Sequence, residues 1–329
     1  LGQAMIETID RELETWPKEI PDLYFLMNRL ALKIVSVALF GSDVTERQVT
    51  EINEALGIAV ERGADRIRKP WMAPRWMPTR GNLKEQKALD TLFANINALI
   101  RQRQQSGERR DDLLDMLLYA GGEASESSGW TDEEIREEVM TIFIAGHETT
   151  ANTLSFALAE LAKQPEWVNR LAEEAQVWEL AESPMQRFRQ LEAAGQVIDE
   201  SLRLYPPAWV LGRAAQQDVH TELATIPKGY TVVLPIVALQ RSAKYWKNPL
   251  DFDPQRFAAG NAIEKWAYLP FGGGPRLCIG QQFALMEARF ALSKMLQGKR
   301  LSIHLPKGFH MQPLISLRPG GELSGQWKG

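Results

Sequence analysis

A ten-residue stretch, Phe271-Gly-Gly-Gly-Pro-Arg-Leu-Cys-Ile-Gly280, contains Cys278, the only cysteine of the 329-residue chain. A lone cysteine cannot form an internal disulfide, and a free cysteine is most often a buried, inert hydrophobic residue. Here the three consecutive glycines and Gly280 allow the backbone to approach a bulky group closely. A helical pattern starts at Gln281, and the positive end of a helix favours a thiolate, which is a good ligand for a soft metal. The stretch therefore predicts a metal-binding loop rather than an inert core cysteine.

This stretch resembles the haem-binding signature of the cytochrome P450 family, Phe-x-x-Gly-x-Arg-x-Cys-x-Gly, at all five defined positions. The resemblance implies haem b as the cofactor, with Cys278 as the metal ligand and axial thiolate, whose electron donation favours O–O cleavage. It also implies that Phe271 shields the sulfur and that Arg276 binds a haem propionate. The loop glycines Gly272 and Gly280 complete the expected cofactor contacts.

The longest predicted helix starts at the capping box Thr131-x-x-Glu134 and runs to Lys163. Its centre reads Ala145-Gly-His-Glu-Thr-Thr150. A mid-helix glycine costs ~1 kcal/mol relative to alanine, and threonines there can bond back to carbonyls and bend the helix. Alone, the hexamer would indicate only a tolerated kink packed against a neighbour.

With the cysteine signature downstream, the hexamer is similar to the oxygen-binding motif of the same family. The resemblance implies that Ala145 and Gly146 lie over the haem, with dioxygen as co-substrate. Thr149 and Glu148 are then the expected catalytic residues, the first hydrogen-bonding dioxygen or its water and the second relaying protons. His147 stands at the variable position of the motif, and we interpret it as a surface or packing residue.

Further positions follow from the resemblance. Glu200 and Arg203 share a helix face, and the family adds an arginine from Pro-x-Arg-Phe, here Arg256; an exposed ion pair is the alternative. Many bacterial relatives have an arginine at the position of Arg213, so it is the second expected propionate ligand. Phe143 could approach the substrate pocket or pack in the core. Gln240 departs from the His-Arg that relatives often carry there, which removes one expected propionate donor.

Periodicity and turn signals predict a mostly helical chain with a small β region. The resemblance assigns it a cytochrome P450-like fold, a single haem-binding domain over residues 1–329. The predicted helices are Met5–Trp16, Leu23–Phe40, Thr45–Arg66, Asn82–Gln105, Asp111–Ala120, Thr131–Lys163, Glu166–Ala181 and Arg187–Tyr205. A packed irregular loop is predicted at Pro70–Pro78, where Trp71 and Trp76 lie, and a polar loop at Gly121–Gly129. A sheet is predicted around the Pro227–Tyr230 turn within Val219–Leu239, and a hairpin over Leu301–Leu317.

Composition and charge limit the classes of protein to which this chain can belong. The net charge of −4 gives no indication of nucleic-acid binding, and one cysteine excludes a disulfide scaffold. No segment approaches the ~20 apolar residues of a membrane span, the best candidate being Thr231–Leu239, and no signal peptide is visible, so we expect a cytoplasmic protein. The family has further elements before the point where Leu1 begins, so we expect a longer natural protein whose N-terminal portion is absent here.

The resulting hypothesis is a haem-thiolate monooxygenase that hydroxylates or epoxidises a small lipophilic substrate, such as a terpenoid or a fatty acid. The chain has neither a nucleotide fingerprint nor clustered cysteines, so a separate ferredoxin or flavodoxin-type donor and an NAD(P)H reductase must supply electrons. One alternative is a peroxygenase, although such relatives usually lose the acid–alcohol pair that Glu148 and Thr149 retain. Another is a haem-binding protein without turnover.

Overall fold

The computed structural model describes residues 1–41, 44–110, 112–119, 129–304 and 307–328, so nearly all of the predicted loop at 121–129 lies outside it. Within these residues the helices are α1 (Gly2–Glu14), α2 (Leu23–Phe40), α3 (Glu46–Arg68), α4 (Arg80–Ser106), α5 (Leu113–Leu118), α6 (Asp132–Leu161), α7 (Pro165–Glu174), α8 (Pro184–Gln190), α9 (Glu192–Leu204), α10 (Ile236–Leu239) and α11 (Gln281–Leu296). The strands are β1 (Glu19–Ile20), β2 (Leu211–Ala214), β3 (Val219–His220), β4 (Thr225–Ile226), β5 (Thr231–Leu234), β6 (Leu301–Ile303), β7 (Lys307–Pro313), β8 (Leu317–Glu322) and β9 (Gly325–Trp327). The expectation of a mostly helical chain with a small β region is confirmed.

Side-chain caps set the boundaries of the central helices. Asp22 accepts the backbone N–H of Phe25 at the start of α2, and Gly41, with φ of +64°, ends that helix in a conformation that favours glycine. The predicted capping box of Thr131 and Glu134 is present at the start of α6. An equivalent box opens α3 at Thr45. These local signals explain why the helix starts were readable from the sequence.

Helices α2 and α6 form the centre of the structure. The first half of α2 and the second half of α6 pack with α1, α9 and α11 in one hydrophobic cluster. The remaining halves of both helices pack with α3, α4 and α5 in a second cluster. Because α2 and α6 belong to both clusters, they connect the part of the fold that carries the cysteine loop to the remaining helices.

The predicted helix Arg187–Tyr205 is two helices, α8 and α9, separated at Leu191. The carboxylate of Glu174 accepts the backbone N–H groups of Ala193 and Ala194. A distant side chain thus caps the start of α9, which satisfies N–H groups that a continuous helix would have bonded internally. The single-helix prediction was wrong because this cap comes from another helix.

Strand pairing also differs from the prediction. The Pro227–Tyr230 turn connects β4 to β5, but β5 pairs with β2 and β4 pairs with β3, both antiparallel. The closing hairpin is β7–β8, while β6 joins a three-stranded sheet with β9 and β1. Short strands choose partners through packing, which local sequence does not encode.

The membrane-span prediction also needs correction. Helix α2 is long and apolar enough to cross a membrane, with mean hydropathy 1.6 over 18 residues. The sequence analysis gave Thr231–Leu239 as the best candidate and did not identify α2. However, 72% of that helix is buried inside the protein, where it packs against α6. We therefore interpret α2 as a core helix.

Candidate active site around Cys278 and the centre of α6

The cysteine loop joins a short helical turn, Gly274–Arg276, to the start of α11. The backbone N–H of Cys278 donates to the carbonyl of Phe271 at 3.0 Å, which closes the loop. Gly272 and Gly274 have φ of +73° and +70°, conformations in which a side chain would be strained. A Cβ at Gly280 would lie 3.9 Å from the Cys278 sulfur. The loop therefore presents an exposed thiol just before a helix N-terminus.

Two arginines border this loop. Arg276 is exposed and forms no ion pair with any of the residues that the structure describes. Arg213 lies on β2 and donates to the carbonyl of the adjacent Gly212 at 2.8 Å. Strand β2 lies against the loop, since a Cβ at Gly272 would be 3.5 Å from Leu211. Both predicted propionate ligands are thus cations with capacity to bind carboxylates.

The six motif residues at the centre of α6, residues 145–150, face in two different directions. Gly146 lies against α2, where an added Cβ would be 3.0 Å from Cγ2 of Val35, so glycine permits close packing of the two central helices. Helix α6 continues unbroken through this position. Ala145 is exposed and Thr149, one turn later, is half-buried on the same side. The hydroxyl of Thr149 donates to the carbonyl of Ala145 at 2.7 Å, so its oxygen remains able to accept a further hydrogen bond.

Glu148 is buried and faces away from that side. Its carboxylate accepts hydrogen bonds from Nε of Arg318, at 2.6 Å, and from the hydroxyl of Ser316. Burial raises the pKa of Glu148, but the hydrogen bond and charge of Arg318, helped by Ser316, outweigh it and hold the pKa below its ordinary value. The described contacts of Glu148 are therefore with the β7–β8 hairpin, and they do not join it to Thr149.

Sequence reasoning missed Arg318 and Ser316. Neither stands in a recognisable motif, and they are 170 and 168 residues from Glu148 in the chain. Asn152, one turn after Glu148 on α6, donates to the Ser316 hydroxyl at 3.0 Å, which extends the network. Nothing in the sequence around Arg318 indicated that it pairs with Glu148. The only available indication was general, since a buried carboxylate needs a cation or hydrogen-bond donors.

Two neighbours in α6 serve packing. His147 is 5% exposed, and its Nδ1 donates to the Phe143 carbonyl at 2.7 Å, so the packing interpretation holds and the surface one does not. Burial is the main cause that lowers the pKa of His147, which keeps the ring neutral at pH 7. Phe143 is fully buried against Phe40, with ring centroids 5.6 Å apart, so it is a core residue and not a pocket-lining one.

Helix α6 and helix α11 meet at Thr150 and Glu287. The Thr150 hydroxyl donates to Glu287 at 3.3 Å, and Glu287 is fully buried. Burial raises the pKa of Glu287 well above its ordinary value, with the Thr150 bond opposing it only in part. A buried carboxyl group with a raised pKa thus links the helix that follows Cys278 to the helix that carries Thr149.

The expected ion-pair network of α9 is present. Arg203 donates to Glu200 through two bonds of 2.6 and 2.8 Å, and both side chains are fully buried. Arg256 reaches the same carboxylate at 3.3 Å. Gln240, also fully buried, donates to the carbonyls of Leu202 and Arg203 and accepts from the N–H of Leu269. Gln240 therefore holds the end of α9 to the segment that precedes the cysteine loop.

The residues around Cys278 fit a haem. Within the described ranges, no group of three or more His, Cys, Asp and Glu side chains could hold a metal ion, so a metal here must bring most of its own ligands. Haem iron does so with its ring nitrogens and needs one axial thiolate. Leu277 and Ile279, on either side of the cysteine, are 52% and 103% exposed, which suits a flat apolar ring. Arg213 and Arg276 suit its carboxylates.

Comparisons with known proteins agree with this geometry. The sequence model of the family described as Cytochrome P450 matches residues 2–316. The chain is 34% identical over 299 residues to 11-oxo-beta-amyrin 30-oxidase of Glycyrrhiza uralensis, covering 87% of this chain and 56% of the relative. It is 32% identical over 308 residues to cyclooctat-9-en-7-ol 5-monooxygenase of Streptomyces melanosporofaciens, covering 91% and 66%. The chain thus spans less than two thirds of the length of these curated relatives.

A solved structure shows the same fold. The crystal structure of CYP175A1 from Thermus thermophillus superposes with a TM-score of 0.76 at 27% sequence identity. The alignment covers 99% of this chain and 72% of the other.

Proposed function

Since the chain belongs to the cytochrome P450 family, we propose that it acts as a haem-thiolate monooxygenase on small lipophilic molecules. One atom of dioxygen enters a C–H or C=C bond of the substrate, and the other leaves as water after two electrons and two protons are supplied. The single observation that supports this most is Cys278, an exposed thiol in a glycine-bent loop at the start of α11. We further infer that residues 1–329 act as one haem-binding domain, because α2 and α6 contribute to both hydrophobic clusters.

The haem, when bound, supplies the oxygen-activating and redox chemistry. Cys278 would hold its metal, Phe271 would pack beside the sulfur, and Arg213 and Arg276 would neutralise its carboxylates. Gly272 and Gly280 give the loop its close approach, and Ala145, on the exposed side of α6, would leave room for the haem. The family pattern also assigns Gly146 to this contact, but Gly146 packs against Val35 of α2, so its role here is close helix packing. These assignments combine the family pattern with the geometry of the loop.

The protein's own proton-handling groups are Glu148 and Thr149. Thr149 donates to the Ala145 carbonyl, so it can accept a hydrogen bond from a water or a proton donor on the exposed side of α6. Burial raises the pKa of Glu148, but the hydrogen bond and charge of Arg318 outweigh that effect and lower it, so Glu148 would hold a relayed proton only transiently and release it readily. Since the two side chains face different ways, we infer that a water chain or a rotation of Glu148 connects them.

For the substrate we propose a terpenoid. The names of two relatives state that they act on 11-oxo-beta-amyrin and on cyclooctat-9-en-7-ol. Fatty acids are the second candidate class. Electrons would come from a ferredoxin or flavodoxin-type donor and an NAD(P)H reductase, and we expect the protein in the cytoplasm.

The test is the absorption spectrum of the carbon monoxide complex of the reduced protein, with Cys278→Ser beside the wild type. The wild type should show the strongly red-shifted Soret band of a thiolate-bound haem, and the variant should lose it. Leu250→Ala, an exposed substitution outside the cysteine loop, serves as the control and should keep the band. An unchanged red-shifted band in Cys278→Ser would refute the proposal.

Activity is tested separately. The loaded wild type is supplied with a surrogate ferredoxin, its reductase and NADPH, and a panel of terpenoids and fatty acids is screened by Soret shift and then by product formation. Product formation that needs dioxygen and the reductase supports a monooxygenase. Product formed with hydrogen peroxide alone, and none with the reductase, would instead establish a peroxygenase.

A further inference from the structure

A small cavity of about 240 Å³ lies between the segment that follows α10 and the segment that precedes the cysteine loop. We call it the indole cavity, and it is lined by residues 245–247, Arg256 and residues 261–264. None of these residues was assigned to haem, oxygen or substrate binding. The walls carry an indole, two cations and an amide, so the cavity suits a small polar molecule rather than an apolar one.

Trp246 contributes a buried donor to the indole cavity. The residue is 6% exposed, and its buried Nε1 has no hydrogen-bond acceptor among the residues that the structure describes. The ring is held by packing, with its centroid 6.0 Å from that of Phe257 and 5.0 Å from Cζ of Arg203. Buried indole N–H groups normally find an acceptor. Because the packed ring cannot turn toward solvent, an acceptor inside the cavity would satisfy this N–H.

Arg256 contributes further donors. Its Nε donates to Glu200 at 3.3 Å, its Nη1 to the carbonyl of Lys247 at 2.5 Å, and its Nη2 to the carbonyl of Asn248 at 2.8 Å. A guanidinium group has five N–H groups, so these three bonds leave two of them for another acceptor. The same bonds fix the guanidinium group, so its remaining donors are already oriented before a ligand binds.

The charge balance around the indole cavity is positive. The single carboxylate of Glu200 is shared by Arg203 and Arg256, so two positive charges face one negative charge in this network. Lys247 is exposed and also lines the cavity. Residues 241–247 contain three cations and no acid. A negatively charged molecule is therefore the kind of ligand that this cavity would attract.

One acid, Glu264, also lines the cavity, and a nearby lysine offsets its charge. The pKa of Lys244 is raised mainly by its hydrogen bond to Tyr245 and also by the charge of Glu264. Glu264 begins a turn in which the N–H of Ala267 donates to its carbonyl at 3.0 Å. Trp266, within this turn, has φ of +70°, a conformation that a bulky residue rarely adopts and that is concentrated at functional sites. The fold thus keeps this wall of the cavity in a strained shape.

We propose that the indole cavity binds a small oxyanion of the phosphate type, either free or as a monoester. Nε1 of Trp246, the two remaining N–H groups of Arg256 and the ammonium group of Lys247 would donate to its oxygens. A phosphate group accepts hydrogen bonds at several oxygens and carries the negative charge that these cations attract. A carboxylate has only two oxygens, in one plane, so it fits three separate donors less well. A water molecule would accept from the indole but would leave the positive charge unused.

The experiment titrates the haem-loaded protein, in a phosphate-free buffer, with inorganic phosphate and separately with glycerol 3-phosphate. Calorimetry measures the heat of binding, and thermal unfolding measures the midpoint. Sodium chloride and sodium acetate at matched ionic strength are the reference titrations. The wild type should give a saturable heat with phosphate, and its unfolding midpoint should keep rising as phosphate exceeds the Kd. The tighter of the two phosphate probes shows whether the cavity prefers the free ion or a monoester.

Two substitutions test the donors. Trp246→Phe keeps the packed ring but removes its N–H, and it should weaken phosphate binding by about tenfold or more. Lys247→Gln removes an exposed cation and should also weaken binding by about tenfold. The matched controls are Trp16→Phe, which removes another buried and unpaired indole N–H outside the cavity, and Lys228→Gln, which removes an exposed cation elsewhere. Both controls should bind phosphate like the wild type.

The unfolding midpoint without phosphate shows whether each variant is folded. If Trp246→Phe does not fold, the exposed pair Lys247→Gln and Lys228→Gln decides the result, since neither removes a buried group. A phosphate titration that matches sodium chloride would overturn the proposal, and so would equal affinity for acetate. Equal phosphate binding by Lys247→Gln and Lys228→Gln would overturn it too. The measurement is of binding alone, so its outcome is independent of whether the protein oxygenates a substrate.

Discussion

The hydroxyl of Thr150 donates to the buried carboxyl group of Glu287 at 3.3 Å, and this bond joins the oxygen-motif helix α6 to the helix that follows Cys278. The second carboxyl oxygen of Glu287 has no hydrogen-bond partner among the described residues. The two halves of the candidate site are therefore connected through a carboxyl group whose pKa is raised by burial.

Replacing Glu287 with glutamine should stabilise the protein increasingly as pH rises. Burial raises the pKa of Glu287, so its favourable contribution is complete below the unfolded-state pKa and is lost as pH rises toward the folded-state pKa. Glutamine does not ionise, so the stability advantage of Glu287→Gln over wild type should grow by up to about 1.4 kcal/mol per pH unit above pH 5. Denaturant unfolding between pH 5 and pH 8 measures it, with the exposed Glu138→Gln as control. A pH-independent difference would show that Glu287 is ionised in the folded protein.

Arg318→Gln should destabilise the protein at neutral pH by about 3 kcal/mol, because it leaves the buried Glu148 carboxylate unpaired. The lowered pKa of Glu148 means that its contribution is present at neutral pH and is lost as pH falls through the folded-state pKa. The difference from wild type should therefore shrink in acid.

The control for that ion pair is the double variant Glu148→Gln/Arg318→Gln, in which no charge remains buried. It should recover part of the lost stability at pH 7. If the loss in free energy of unfolding of the double variant equals the sum of the losses in the two single variants, Arg318 and Glu148 are not energetically coupled.

Thr149→Ala should keep haem and substrate binding but lower product formed per NADPH consumed by about tenfold or more, with the balance appearing as hydrogen peroxide. The reason is loss of the hydroxyl that lies one turn from Ala145 at the centre of α6 and can accept a hydrogen bond from a proton donor. Coupling and peroxide yield are measured together. Thr149→Ser retains the hydroxyl and should stay near wild type; wild-type coupling in the alanine variant would leave Thr149 only a helix-packing role.

Glu200→Ala should cost about 3–5 kcal/mol of stability and reduce haem content, because it leaves the fully buried guanidinium of Arg203 without its carboxylate. Unfolding midpoint and haem-to-protein ratio are the measurements. The matched control is Glu51→Ala, which removes an exposed pair with Arg47 and should change stability by less than ~1 kcal/mol. Full haem occupancy and an unchanged midpoint in Glu200→Ala would contradict the structural role.

The amino-acid sequence by itself determined the features that depend on near neighbours in the chain. Cys278 and its loop were readable because glycine conformations, an arginine and a helix start are required within ten residues. The boundaries of α2 and α6 were readable because their caps are local side chains. Glu200 and Arg203 were readable as a pair because a helix places residues three apart on one face.

Tertiary structure alone decided the contacts between distant segments. Arg318 reaches Glu148 across 170 residues, Glu174 caps α9 from another helix, and β2 chooses β5 as its partner. Trp71 and Trp76, in the loop that was predicted to be packed, are 79% and 80% exposed, and the amide of Asn82 on α4 fixes the backbone of that loop. Local patterns specify which groups must be satisfied, but burial in the folded core determines which distant group satisfies them.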